Sequence, residues 1–209
     1  MEFLLSSAAG YLFGSFPTAY LMVRKFRNTD ITKEGSGNMG AMNSYEVSKS
    51  RFIGLSVLII DLLKGIAPVV LLKLLYPDSF LIIGTSLLFA VLSHCFNPWL
   101  KFKGGRGLAT AAGGALIIFP YLLLIWIVMW VIFYAMKKDI IFANFTAIIA
   151  SMLILFTTSE IAVKYTFPQA ESNAALIIYT SAVLIIILIK HFDPFIELIN
   201  SNNIFNRKK

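Results

Sequence analysis

Cysteine and histidine are nearly absent from this chain of 209 residues. Cys95 is the single cysteine, which excludes an internal disulfide; lying in an apolar run, it reads as a packing residue. Two histidines, His94 and His191, form no cluster with cysteine, so no metal site is expected. Charge is scarce too. Asp, Glu, Lys and Arg make up 14% of the residues, against about 25% in soluble proteins, too few to clothe a water-soluble core. Acidic residues are the rarer sign, 11 against 18 basic, for a net charge of +7. In a soluble domain that balance points to nucleic acid. Here basic loops that hold a membrane topology explain it, and no nucleic-acid partner is expected. The start, Met1-Glu2, carries no basic leader, so the first apolar stretch is expected to stay as a helix.

Apolar residues fill the space that charge leaves. They are 58% of the chain, and the mean hydropathy is +0.79. Apolar stretches run at about 3–23, 52–75, 79–99, 108–136, 140–159 and 174–190, as in a polytopic, all-α membrane protein. No polar segment is long enough to fold alone, so residues 1–209 are expected to form one integral-membrane domain. The fourth stretch is too long for one pass: 29 residues would span about 43 Å of helix against a hydrocarbon core of about 30 Å. It contains Pro120, with Gly113-Gly114 just before, and proline breaks or kinks a helix.

The basic residues choose between one pass and two. Arg24, Lys25, Arg27, Lys33, Lys49 and Arg51 share the first long loop; Lys101, Lys103 and Arg106 lie in the second. Lys137 and Lys138 follow the long stretch, and Lys190, Arg207, Lys208 and Lys209 lie at the C-terminal end. If the stretch is two passes, all these fall on the cytoplasmic side, leaving Lys73 and Lys164 outside. We therefore expect about seven transmembrane helices, with the N-terminus outside and the C-terminus cytoplasmic. The fourth helix is short, about 108–118, and ends at the break near Pro120.

Three segments carry chemistry. Gly35-Ser36-Gly37-Asn38-Met39-Gly40-Ala41-Met42-Asn43, in the first cytoplasmic loop, has glycines that turn backbone N–H groups toward one point. Ser36, Asn38 and Asn43 add neutral hydrogen-bonding groups, as a phosphate or polyol requires; a merely flexible polar loop is the alternative. Phe102-Lys103-Gly104-Gly105-Arg106-Gly107 runs straight into a helix at Leu108-Ala109-Thr110. Backbone donors, a positive helix end and two cations then act together on an anion; cations that only anchor topology are the alternative. Asp61 and Lys64 lie one turn apart inside the second apolar span, as a pair that braces the loops or takes part in the chemistry. His94 and His191 are expected at the cytoplasmic boundary, as caps or as functional groups beside these loops.

Four motifs in order carry a resemblance: Gly14-Ser15-Phe16-Pro17-Thr18, the Gly35–Ala41 run, Asp61-Leu62-Leu63-Lys64-Gly65, and Phe102-Lys103-Gly104-Gly105-Arg106-Gly107-Leu108-Ala109-Thr110. Together they resemble the bacterial acyl-phosphate:glycerol-3-phosphate acyltransferases, closely over residues 11 to 110 and more loosely beyond. The resemblance implies a seven-helix inner-membrane enzyme of phospholipid biosynthesis with its site facing the cytoplasm. Such an enzyme transfers a fatty acyl group from acyl-phosphate to the 1-hydroxyl of glycerol 3-phosphate, giving lysophosphatidic acid and inorganic phosphate, with no cofactor. Lys103, Arg106 and the Gly104, Gly105 and Gly107 backbone would hold acyl-phosphate. Ser36 and Asn38, with Asn43, Gly35 and Gly37, would orient the acceptor, and His191 would be the general base. Asp61, Lys64 and His94 would support the site.

Some positions depart from the family pattern. In the first loop Met42 stands for a threonine and Glu46 for an arginine. Arg106 replaces the second-loop lysine, Ile141 a serine before the sixth helix, and Pro194 the asparagine of the closing motif, in which His191 survives after Lys190. A homologue that binds a lipid or phosphate ligand without turnover is the alternative reading, and a transporter with broken helices a third.

Overall fold

The computed structural model describes residues 1–201, and every regular element among them is helical. The nine α-helices are α1 (Glu2–Gly14), α2 (Thr18–Arg27), α3 (Ala41–Ser48), α4 (Arg51–Leu75), α5 (Phe80–Cys95), α6 (Leu108–Ile118), α7 (Pro120–Lys137), α8 (Ile140–Ala162) and α9 (Asn173–Asn200). Five are long and apolar enough to cross a membrane: α4, α5 extended to Leu100, α7, α8 extended to Tyr165, and α9. The 13 residues of α1 and 11 of α6 span only about 20 and 17 Å. Arg207, Lys208 and Lys209, counted in the charge argument, lie outside the described residues.

The expected break in the fourth stretch is present. Phe119 leaves helical geometry (φ −149°, ψ 62°) and Pro120 opens α7 as its first residue, the position where a missing N–H costs nothing. Three expectations need correction. The first apolar stretch is two helices rather than one, because proline at position 17 disfavours helical geometry in Phe16 before it. The first long loop is not all loop, since residues 41–48 form α3. The last helix continues through Pro194 to Asn200, so His191 lies within a helix rather than at its end.

Serine and aspartate set several helix starts. Ser50, Ser79 and Ser172 cap α4, α5 and α9, and the Asp139 carboxylate accepts from the N–H groups of Ile141 and Phe142 to open α8. Small residues let helices cross at backbone distance, the main source of close packing where lipid is the solvent. Gly10 and Gly14 of α1 lie on the Ser86 and Ala90 carbonyls of α5. In the same way Gly65 of α4 lies on the Thr110 carbonyl of α6, and Gly113 of α6 on the Leu62 carbonyl of α4. The Ser6 hydroxyl donates to the Ile82 carbonyl at 2.5 Å, and both groups are buried.

Two apolar cores result. The larger joins α4 to α9 around Leu72, Phe80, Phe119, Ile148, Leu176 and Ile187. The smaller packs Ala19, Val23, Ile31, Met39, Ile53 and Val57, and so ties the first loop and α2 to α4. Cys95 is buried in the larger core, as expected of a packing residue.

Candidate active site

The first loop is wound around one side chain. Asn43 Oδ1 accepts from the Ser36 N–H at 3.0 Å, while its Nδ2 donates to the carbonyls of Asn38 at 2.9 Å and Glu34 at 3.2 Å. Asn43 is 1% exposed, so it cannot serve as the acceptor-binding group expected of it. Its amide instead holds residues 34–38 in shape, which requires positive φ at Gly35 (57°) and Gly37 (65°). Of the loop's polar side chains, Glu34 and Ser36 are exposed and Asn38 is half-buried.

The second loop is pressed against the end of α5. The Gly105 N–H donates to the His94 carbonyl at 3.1 Å. A Cβ on Gly104 would collide with the carbonyls of His94 and Cys95, and one on Gly105 with the His94 ring. Both glycines are therefore needed for close approach, in addition to any role in holding an anion. Phe102 N–H donates to the Asn97 carbonyl at 2.8 Å and Lys103 N–H to that of Leu100 at 3.1 Å. Asn97 in turn donates to the Ser15 carbonyl at 2.6 Å, and Trp99 Nε1 to the Ser15 hydroxyl at 3.2 Å. The break after α1 thus leaves a backbone acceptor that anchors the second loop. Gly107 (φ 85°) is the N-cap of α6, and the Met39 N–H meets the Gly104 carbonyl at 3.5 Å, joining the two loops.

Between them lies a cleft of about 240 Å³ whose lining includes Ser36, Asn38, Lys103, Arg106, Lys190 and Pro194. Of the residues singled out from sequence, Ser36, Gly37, Asn38, Lys103, Gly104 and Arg106 meet there. Gly35, Asn43, Gly105 and Gly107 are not among its lining residues. Lys190 was counted only as a topology anchor, yet it supplies a third cation; its place one residue before His191 in the closing motif was the available signal. Burial lowers the pKa of the Arg106 guanidinium, with Glu197 and Glu46 opposing the shift; a guanidinium remains charged regardless. Glu46 is exposed on α3, so its negative charge is solvated and screened.

Asp61 and Lys64 form a 2.6 Å ion pair, both almost fully buried, with His94 Nδ1 at 3.9 Å from the same Asp61 oxygen. They do not line the cleft. Lys64 and His94 instead line a small separate cavity with Gly104 and Gly105, and His94 carries the Gly104-Gly105 turn on its ring and carbonyl. His191 is fully buried and also absent from the cleft lining. Its Nδ1 lies 2.8 Å from the Ile187 carbonyl, and Nε2 has no partner. A carbonyl only accepts, so the proton is on Nδ1 and Nε2 is an acceptor.

The sequence model of the family described as Glycerol-3-phosphate acyltransferase matches residues 4–201. The chain belongs to that family. A glycerol-3-phosphate acyltransferase of Campylobacter lari is 31% identical over 206 residues, covering 95% of this chain and 96% of the relative. One of Pelagibacter ubique is 34% identical over 154 residues, covering 74% and 77%. The fold is that of PlsY, an integral membrane glycerol 3-phosphate acyltransferase solved in its glycerol 3-phosphate form, with a TM-score of 0.78 at 24% identity over 96% of this chain and 94% of that one. Its lysophosphatidic acid form matches with a TM-score of 0.77 at 23% identity. Membership favours acyl transfer over the ligand-binding and transporter alternatives.

Proposed function

We propose that this chain transfers a fatty acyl group from acyl-phosphate to the 1-hydroxyl of glycerol 3-phosphate, giving lysophosphatidic acid and inorganic phosphate for phospholipid synthesis. The observation that carries the reading is the cleft in which Lys103, Arg106 and Lys190 converge beside Ser36 and Asn38. Three cations suit a reaction in which both substrates bear phosphate. The Ser36 hydroxyl and Asn38 amide supply the neutral contacts that glycerol hydroxyls need.

In the reaction the 1-hydroxyl oxygen attacks the acyl carbonyl carbon, and the bond from that carbon to the phosphate oxygen breaks. Lys103 and Arg106 neutralise the charge gathering on the carbonyl oxygen and the departing phosphate. The hydroxyl proton goes to a base. We assign that role to His191, whose Nε2 lone pair is uncommitted and which directly follows Lys190 of the cleft in α9. The departing phosphate is the acceptor if His191 stays enclosed.

We assign seven membrane helices, α1 and α4 to α9, with α1 and α6 as short passes sheltered against α5 and α4. This reading puts the N-terminus outside and the cleft on the cytoplasmic side of an inner membrane, because the basic first and second loops and Lys137-Lys138 then share a side.

Purified protein in detergent is given palmitoyl-phosphate with and without glycerol 3-phosphate, and phosphate release is followed. We expect release that depends on the acceptor and falls at least a hundredfold in Lys103→Ala. Acceptor-dependent release no greater than in Lys103→Ala would sink the reading. His191→Gln tests the base: a fall in kcat of tenfold or more supports it, and a wild-type kcat assigns the proton to phosphate.

A further inference from the structure

We propose that Phe119, at the break between α6 and α7, is the floor of an acyl-chain groove and sets the longest chain the enzyme accepts. The inference rests on the acyltransferase reading above and adds a specificity determinant to it. An apolar groove runs between α6 and the faces of α5, α7 and α9. Leu108, Ala111, Ala112 and Ala115 line it from α6. Their spacing of three, four and seven residues puts them on one helical face, and three alanines in that row leave a channel where larger side chains would fill it.

One end of the groove lies next to the cleft: Ile187 of the groove is one helical turn before Lys190 of the cleft in α9. Leu108 is the first residue of α6, directly after Gly107, and Ile187 Cγ1 lies 3.2 Å from where a Gly107 Cβ would stand. Arg106, in the cleft, precedes Leu108 by two residues. A chain whose phosphate sits on Lys103 and Arg106 would thus start beside the apolar face of α6. The other end is closed by Phe119 and Phe80, which are 2% and 1% exposed. Phe119 is there because the chain leaves helical geometry at that residue. The chain beyond is sealed by the Phe167 N–H bonded to the Ile118 carbonyl at 2.9 Å. From Leu108 to Ile118 the helix rises about 15 Å, the depth available before the floor.

The test measures kcat/KM for myristoyl-, palmitoyl-, stearoyl- and arachidoyl-phosphate at saturating glycerol 3-phosphate. Phe119→Ala lowers the floor. We expect the ratio of stearoyl to myristoyl activity to rise about tenfold, since each methylene brought into an apolar site is worth severalfold. Ala115→Leu raises an obstacle part-way along, and the same ratio should fall about tenfold. The KM for glycerol 3-phosphate should stay within twofold in both, because neither residue touches the cleft. If Phe119→Ala does not fold, Phe119→Leu is read the same way with a smaller expected shift. Wild-type activity with a chain-length profile that neither the floor variant nor Ala115→Leu moves overturns the proposal and leaves the acyltransferase reading standing. Absence of activity with every chain in the wild type overturns that reading, and the proposal falls with it.

Discussion

Replacing Gly104 by alanine tests whether the second loop is held by contact with α5 or merely passes near it. A methyl group there collides with the His94 and Cys95 carbonyl oxygens. Both are backbone atoms at the end of a buried helix, so neither can rotate aside, and the loop must move outward by about 1 Å. A displacement of that size at a reacting site costs about a hundredfold in rate, which is about 2.7 kcal/mol in the barrier. Overpacking adds a folding cost of about 1–3 kcal/mol, or about 2–4 °C in Tm per kcal/mol for a chain of this size. We expect kcat/KM for palmitoyl-phosphate to drop about a hundredfold while the protein still inserts, purifies and unfolds cooperatively a few degrees early. Gly37→Ala is the contrast: its nearest neighbour, the Thr32 carbonyl oxygen at 3.3 Å, need give by only a few tenths of an ångström, but φ is +65°. Its cost is backbone strain of about 1–2 kcal/mol, which Gly37→Asn should largely relieve because asparagine tolerates that conformation. Gly104→Ala with a wild-type kcat/KM and Tm would refute the packing argument, because the carbonyls would then have room for a side chain.

The remaining expectations concern the scaffold. Asp61→Asn or Lys64→Met alone leaves one buried charge without its partner and should cost about 3–5 kcal/mol; the double variant should cost less than either, as read by thermal unfolding in detergent. Asn43→Ala removes three hydrogen bonds from residues 34–38 and should raise the KM for glycerol 3-phosphate at least tenfold while kcat changes less. Gly65→Leu drives a side chain into the Thr110 carbonyl and should prevent stable folding, visible as loss of a monodisperse peak in size-exclusion chromatography. Asp139→Ala removes the cap of α8 and should cost about 1 kcal/mol without altering kcat/KM.

Much of the helical plan was legible because in lipid every backbone group must be satisfied within its own helix, so apolar run length reads directly as helix. Proline marked the break at Phe119-Pro120 correctly. At Pro17 the same signal was available, but Tyr20, Leu21, Met22 and Val23 continue the apolar run beyond it and conceal the change of direction. Helix α3 was hidden for the opposite reason: eight residues of mixed polarity have no apolar run to read. The site was legible as residue types. Glycine, lysine and arginine before a helix pointed to an anion, and Ser36, Asn38, Lys103 and Arg106 do converge on one cleft.

Whether a residue faces the cleft or supports it depends on contacts between segments far apart in the chain. Asn43 and Asn38 look alike in the sequence; one is consumed by three backbone partners and the other lines the cleft. Gly104 and Gly105 were read for an anion, while the end of α5 is what first demands them. Lys190 looked like a topology anchor and reaches the cleft because α9 brings it beside the second loop. Composition and order of residues therefore settle that this chain is membrane-embedded, helical and of its family, since those follow from local hydropathy and motif chemistry. Which of its polar groups bind and which brace is settled by packing, because a donor already paired inside the protein has nothing left to offer a substrate.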